Sequence, residues 1–217
     1  MKKLICILTY MILGSCFANK SEYYVHPNGT FIYESRNFGP YYISEFQLDS
    51  CEIYNNYIHG KIDKLNEWTQ AYKFIINDEV ISSHYSYLFS FGSLFDSCKY
   101  FDVYDNTNTF IGSIEGNFSV EASAEFLFYD KDHQLFAKAY INSSNPQITI
   151  SSPEGQPLIT GIKIFHDYGP FYNNPSFQRS PDYYWKIKMN DNGSLDPRFL
   201  WPFIGFISEV WWYESPD

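Results

Sequence analysis

At 217 residues the chain suits one domain, long enough to bury a sizeable core. Aromatic residues make up 21% of it, with 20 Tyr and 20 Phe, and charged residues only 18%; that excludes a largely disordered chain and tilts the composition toward β structure. A formal charge of −10 with scattered Lys and Arg excludes the basic footprint of a nucleic-acid binder and the clustered cations of an anionic-lipid site.

The first residues read as an export signal. Lys2 and Lys3 precede an apolar run over residues 4–14, small residues follow, and the run is too short to span a bilayer. Two processing readings stand. Leu13-Gly14-Ser15-Cys16 resembles a bacterial lipobox, which would make Cys16 the lipidated first residue. Cys16-Phe17-Ala18 resembles a small-x-small site, with cleavage before Asn19. The expected organisation is a signal segment over 1–18 (1–15 for a lipoprotein) and a single domain over 19–217. Its expected location is the periplasm, the outer envelope or the medium.

The body begins with strand-like segments. Tyr23-Tyr24-Val25 is expected to turn at Pro27-Asn28-Gly29 into Thr30-Phe31-Ile32-Tyr33. Residues 41–48, 51–62, 72–76 and 85–91 are further strand candidates, and 65–70 reads as a helical turn or a loop. Cys51 and Cys98 sit in near-identical Asp-Ser-Cys settings, and an even pair in an exported chain predicts one disulfide, with two buried, reduced cysteines as the alternative. It would close a loop of about 48 residues and stabilise by roughly 3–4 kcal/mol on the chain-entropy model.

Three hairpins follow. Phe101-Asp102-Val103-Tyr104-Asp105 turns through Asn106-Thr107-Asn108 into Phe110-Ile111-Gly112-Ser113-Ile114. Phe126-Leu127-Phe128-Tyr129-Asp130 turns through Lys131-Asp132-His133 into Leu135-Phe136-Ala137. Ile148-Thr149-Ile150 turns through Ser152-Pro153-Glu154-Gly155 into Leu158-Ile159-Thr160-Gly161-Ile162. A Pro-rich loop lies between Asp167 and Asp182, and a last strand, residues 184–189, ends at an Asp191-Asn192-Gly193 turn. Alternation with regularly spaced turns predicts an antiparallel sandwich or barrel.

The chain closes on an aromatic-rich apolar run interrupted by Pro202, Gly205, Ser208 and Glu209. A helix over 202–213 would be about 18 Å long, well short of the roughly 30 Å hydrocarbon core. Phe203, Ile204, Phe206, Ile207, Val210, Trp211 and Trp212 cover almost every direction around such a helix, so it must be buried. A single buried helix in an otherwise all-β chain needs a sheet wrapped around it.

Repeated strand–turn–strand units before a C-terminal apolar helix resemble the tubby C-terminal-like superfamily, which includes the phospholipid scramblases and the LURP-one-related proteins. The residues that carry the resemblance are the three hairpins, Trp185 to Met189, Leu195-Asp196-Pro197-Arg198, Ile204-Gly205 and Trp211-Trp212-Tyr213 with Glu214. They cover a little over half the chain. The resemblance implies a mainly β fold, an antiparallel barrel of about twelve strands enclosing the C-terminal helix. It also implies lipid binding. Three departures stand beside it: Pro202 falls inside the expected helix, basic phosphoinositide-binding residues are not apparent, and Cys-rich and Pro-rich scramblase segments are missing. Asp191, Asn192 and Asp196 occupy the region of the scramblase calcium site, but the pattern is too short and a turn at Asn192-Gly193 is the reading adopted.

No nucleophile-elbow, zinc-protease, phosphate-loop or dinucleotide motif occurs. His26, His59, His84, His133 and His166 are scattered. Asp130, Asp132 and His133 offer ligand atoms but sit where a hairpin tip belongs, and His166-Asp167 could act as base and orienter. Asp49 and Asp96, beside the cysteines, read as turn caps. The expected function is a non-enzymatic, exported, monomeric barrel that binds a lipid, a small apolar ligand or an envelope partner, with no cofactor or metal and no nucleic acid. A membrane is touched only through an anchor at Cys16. The alternatives are a secreted hydrolase using carboxylates or His166, and a structural envelope lipoprotein.

Overall fold

A computed structural model describes residues 22–34, 43–55, 59–65, 71–86, 98–118, 123–142, 147–165, 183–190 and 195–210. Twelve strands follow in chain order: β1 (Glu22–Glu34), β2 (Ile43–Tyr54), β3 (His59–Lys64), β4 (Ala71–Ile76), β5 (Glu79–Ser86), β6 (Cys98–Asp105), β7 (Phe110–Phe118), β8 (Ser123–Asp130), β9 (Leu135–Asn142), β10 (Gln147–Ser151), β11 (Pro157–Phe165) and β12 (Tyr183–Met189). Each pairs antiparallel with its sequence neighbours, and β1 pairs with β12 through Glu22↔Lys188 to Val25↔Trp185, so the sheet closes into a barrel. One helix, α1 (Pro197–Val210), is described after it.

Alternation of side chains gives the barrel its two faces. In β12 Tyr183, Trp185 and Ile187 point inward and are buried, while Tyr184, Lys186 and Lys188 point outward. The tips explain why the hairpins were readable. Asn77 and Asp78, both at positive φ (51° and 64°), make the two-residue β4–β5 turn, a conformation that matches strand twist. The next three tips share one device. Asp105 Oδ1 accepts the amides of Thr107 (2.8 Å) and Thr109 (3.0 Å), Asp130 Oδ1 accepts those of Asp132 (2.9 Å) and Gln134 (2.8 Å), and Ser152 Oγ accepts that of Gln156 (3.3 Å). Three residues after each acceptor stands a positive-φ residue: Asn108, His133 and Gly155. Each tip bulges one strand, which restores the alternation on the far side.

Three sequence expectations are corrected. Pro27-Asn28-Gly29 is not a turn: β1 runs straight through it, with a register shift between Asn28 and Gly29. The β1–β12 pairs end at Val25, so Pro27 removes no N–H from that ladder. β2 likewise continues through Asp49 and Ser50, so Asp49 is an exposed strand residue and not a turn cap. The strand expected over 85–91 lies earlier, as β5; residues 87–91 fall outside the described residues.

The helix is enclosed. Phe199, Leu200, Trp201, Phe203, Ile204, Phe206, Ile207 and Ser208 are all buried. Its large rings face the β6–β9 wall: Phe203 meets Phe126 and Phe128 edge-on at 5.1 Å each, Phe206 meets Phe101 at 4.6 Å, and Phe199 meets Phe136 at 5.0 Å. Small wall residues make that room. A Cβ on Gly116 would lie 1.9 Å from Phe126, and one on Gly112 would lie 2.9 Å from Phe199. On the opposite side Gly205 brings the helix backbone against Ile62 and Tyr72, where a Cβ would lie 2.8 Å from Ile62. Trp201 packs on Tyr23 (5.1 Å) and Phe74 (6.3 Å).

The helix also starts earlier than its apolar run suggests. Asp196 caps it, accepting the Arg198 amide at 2.9 Å, and Pro197 takes the first helical position, where no N–H is needed. Among the described residues no helix is long and apolar enough to cross a membrane.

Candidate functional site

The lining around the helix carries polar chemistry, and the outer wall carries two groups of rings, one over β2, β1 and β12 and a smaller one of Tyr85, Tyr104 and Phe110 on β5, β6 and β7.

Inside, the first polar contact answers Pro202. A proline lacks the N–H that would bond the carbonyl four residues back, here Arg198. That carbonyl instead accepts Ser82 Oγ (2.8 Å) and lies 2.9 Å from His84 Nε2, both from the inner wall of β5. Burial pushes His84 down to about 3, outweighing the opposing bond to Arg198. The imidazole is therefore neutral, and its Nε2–H is the donor. The Arg198 guanidinium is taken up by Asp196, with Nη2 2.6 Å from Oδ2.

At the other helix end Glu209 accepts hydrogen bonds from Lys64 Nζ on Oε1 and from Tyr72 Oη on Oε2. The side chains of Lys64 and Glu209 are only 6% and 12% exposed. Next to them Tyr183 Oη donates to the Ser208 carbonyl at 2.5 Å, and Lys163 Nζ sits 4.0 Å over the Tyr183 ring. Cys51 bonds Ser208, and burial pushes its thiol far up, so it stays protonated. Burial first, then the Glu209 charge, also raises Tyr72; burial raises Tyr183. Lys64, Tyr72 and Tyr183 are the donors that fasten this end of the helix to the wall.

Outside, β2, β1 and β12 carry a ladder of rings. His26 stacks between Tyr54 and Tyr184, 5.0 Å from each, and its Nε2 lies 2.6 Å from the Tyr54 hydroxyl. Tyr24 stacks on Tyr54 at 5.9 Å and leans on Tyr184 at 6.0 Å. Tyr54 is 39% exposed, and Ile162 on β11, opposite Lys186, is 46% exposed. The ion pairs Glu22–Lys186 (3.1 Å) and Lys61–Asp63 (2.8 Å) rim the face, and His59 Nε2 lies 2.7 Å from the Glu52 carboxylate. Partial burial, then Tyr184 and Tyr24, raises the Tyr54 phenol.

The disulfide expected between Cys51 and Cys98 is not formed: Cys51 is free and buried against the helix. Cys98 stands in β6 opposite Asn117, and its side chain lies outside the described residues. The two strands are four steps apart in the barrel wall, each roughly 4.8 Å, far beyond the span of an S–S bridge. Of the expected core-helix residues, Phe203, Ile204, Phe206 and Ile207 are buried; Val210 ends the helix without a described side chain. Trp211 and Trp212, along with Cys16, Asp96, His166, the loop between Asp167 and Asp182, and the Asp191-Asn192-Gly193 turn, lie outside the described residues. Asp130, Asp132 and His133 do form a hairpin tip, with His133 stacked on Tyr129 at 4.4 Å; no group of three or more metal-ligating side chains occurs among the described residues.

The outer ladder is absent from the sequence expectations because it joins residues far apart in the chain, Tyr24 and His26 with Tyr54 and Tyr184, across three adjacent strands. Its one local sign is Tyr24 and His26 at strand spacing. No family model matches the chain, and no curated protein or solved structure matches it.

Proposed function

We propose that the chain is an exported, non-enzymatic binding protein of tubby-like type, and that it meets its partner on the outer face of Tyr24, His26, Tyr54 and Tyr184. The observation behind this reading is the division between the two faces. The interior is occupied by the helix, and Lys64, Tyr72, Ser82, His84 and Tyr183 are bonded to it, while the ring ladder is turned outward. Tyrosines offer an apolar body with a polar tip, which suits the boundary of a lipid layer or the surface of another protein. The tubby-like resemblance favours a lipid; a small apolar ligand or an envelope partner fits the same face. Attachment through a lipidated Cys16 would bring the face to the membrane and is read by palmitate incorporation that is lost in Cys16→Ala.

Flotation with neutral phosphatidylcholine vesicles tests the lipid reading. The expected result is co-flotation of the parent and an at least fivefold loss in a Tyr24→Ser/Tyr54→Ser variant whose circular dichroism is unchanged. A parent that stays off the vesicles rules out the lipid, and a variant that floats equally rules out the face.

A further inference from the structure

We propose that His26 makes the outer ring face pH-sensitive: the face docks while this imidazole is neutral and lets go when it is protonated. Such regulation rests on that face being the docking surface. His26 holds the middle of the ladder. Its ring lies 5.0 Å from Tyr184 at an interplanar angle of 4°, and 5.0 Å from Tyr54 at 22°. Its Nε2 lies 2.6 Å from the Tyr54 hydroxyl. Of the four rings it alone ordinarily changes charge between pH 5 and 8. The strands on either side bring further charged groups. From β2, Glu52 stands opposite His26 in the ladder, with its carboxylate 2.7 Å from His59 Nε2. From β12, Lys186 stands opposite Tyr24 and is tied to Glu22 at 3.1 Å.

Protonation changes the face in two ways. The first is charge. In the undocked chain an imidazolium is well placed, with water at hand, a tyrosine ring on each side within cation–π range and the Glu52 carboxylate across the ladder. A neutral partner that covers the face takes the water away, and the rings and one carboxylate do not replace it. The second is the hydroxyl. A neutral imidazole can take the Tyr54 hydrogen on Nε2, which closes the pair on itself. With both ring nitrogens protonated, Nε2 can only donate. Tyr54 Oη must then accept, and its own hydrogen is turned out of the pair. Beneath an apolar partner that O–H is left without an acceptor. Both changes favour the neutral ring in the docked state. By reciprocity, protonation weakens docking, so affinity falls as the pH drops through the imidazole's range and is flat above it. An ordinary histidine is about one-tenth charged at pH 7.5 and about nine-tenths charged at pH 5.5, so exclusion of the charged form lowers binding about tenfold.

The test is flotation of the full chain with neutral phosphatidylcholine vesicles at pH 7.5 and pH 5.5, read as the ratio of the two within each protein. The parent is expected to lose binding about tenfold at the lower pH. His59→Gln keeps that ratio, and His26→Gln brings it below about twofold, whatever its level at pH 7.5. The ring resonances of His26, titrated by NMR in the parent, are expected to move their midpoint down by about one pH unit on neutral bicelles. A midpoint that stays put or rises overturns the proposal, as does a ratio abolished by His59→Gln. A parent that floats equally at both pH values also overturns it and leaves the docking face standing. A parent that floats at neither sinks the lipid reading of the face, and this regulation with it.

Discussion

His84 ties the barrel wall to the carbonyl that Pro202 leaves without its helical N–H, and burial keeps the imidazole neutral there. Held near 3 in the fold against an ordinary value near 6.5, it binds fewer protons folded than unfolded, so stability falls as the pH drops through that window and is flat above it. The slope is about 1.4 kcal/mol per pH unit for this one group. Urea midpoints measured from pH 7 to pH 4 should fall steeply in the parent and less in His84→Gln, which retains an N–H donor. Equal slopes in the two proteins would remove His84 from the account. Cys51 gives a second test at this scale. Buried and protonated, it should resist iodoacetamide in the native chain and react on unfolding; rapid native labelling would contradict its placement. Neither environment was legible in the sequence. Ser82-Ser83-His84 reads as a polar break in a strand pattern, and its purpose lies 114 residues away on the helix.

Elements were more legible where local chemistry decides them. Asp105, Asp130 and Ser152 each organise a tip through their own side chains, so those hairpins follow from a few consecutive residues. Asp105→Ala should cost about 1–3 kcal/mol, because two backbone amides and the Thr107 hydroxyl lose their acceptor. A loss below a few tenths of a kcal/mol in urea titration would show that the turn forms without it. The β1 segment shows the limit of the same logic. Pro-Asn-Gly is turn chemistry locally, but pairing along β2 holds it extended, and the misfit survives only as a register shift. In the helix, Phe203 fills the space left by the small residues of the facing wall. Phe203→Ala should cost about 3–5 kcal/mol by chemical denaturation. A change under about 1 kcal/mol would place the ring outside a packed core.

At the scale of the molecule, fold class was readable before any coordinates, since repeated hairpins and an all-round apolar helix have few compatible arrangements. The closing β1–β12 pairing was not, because it joins the two ends of the domain and has no local pattern. For the same reason the outer ladder of Tyr24, His26, Tyr54 and Tyr184 was invisible until closure brought β12 beside β1. The central claim is that the helix occupies the interior of a closed barrel. Amide hydrogen exchange of α1 in the native chain tests it most directly. The account predicts that residues 199–207 exchange with the slowest amides of the barrel, only through global unfolding. Exchange of those amides at the rate of an exposed chain, while the strands remain protected, would contradict it.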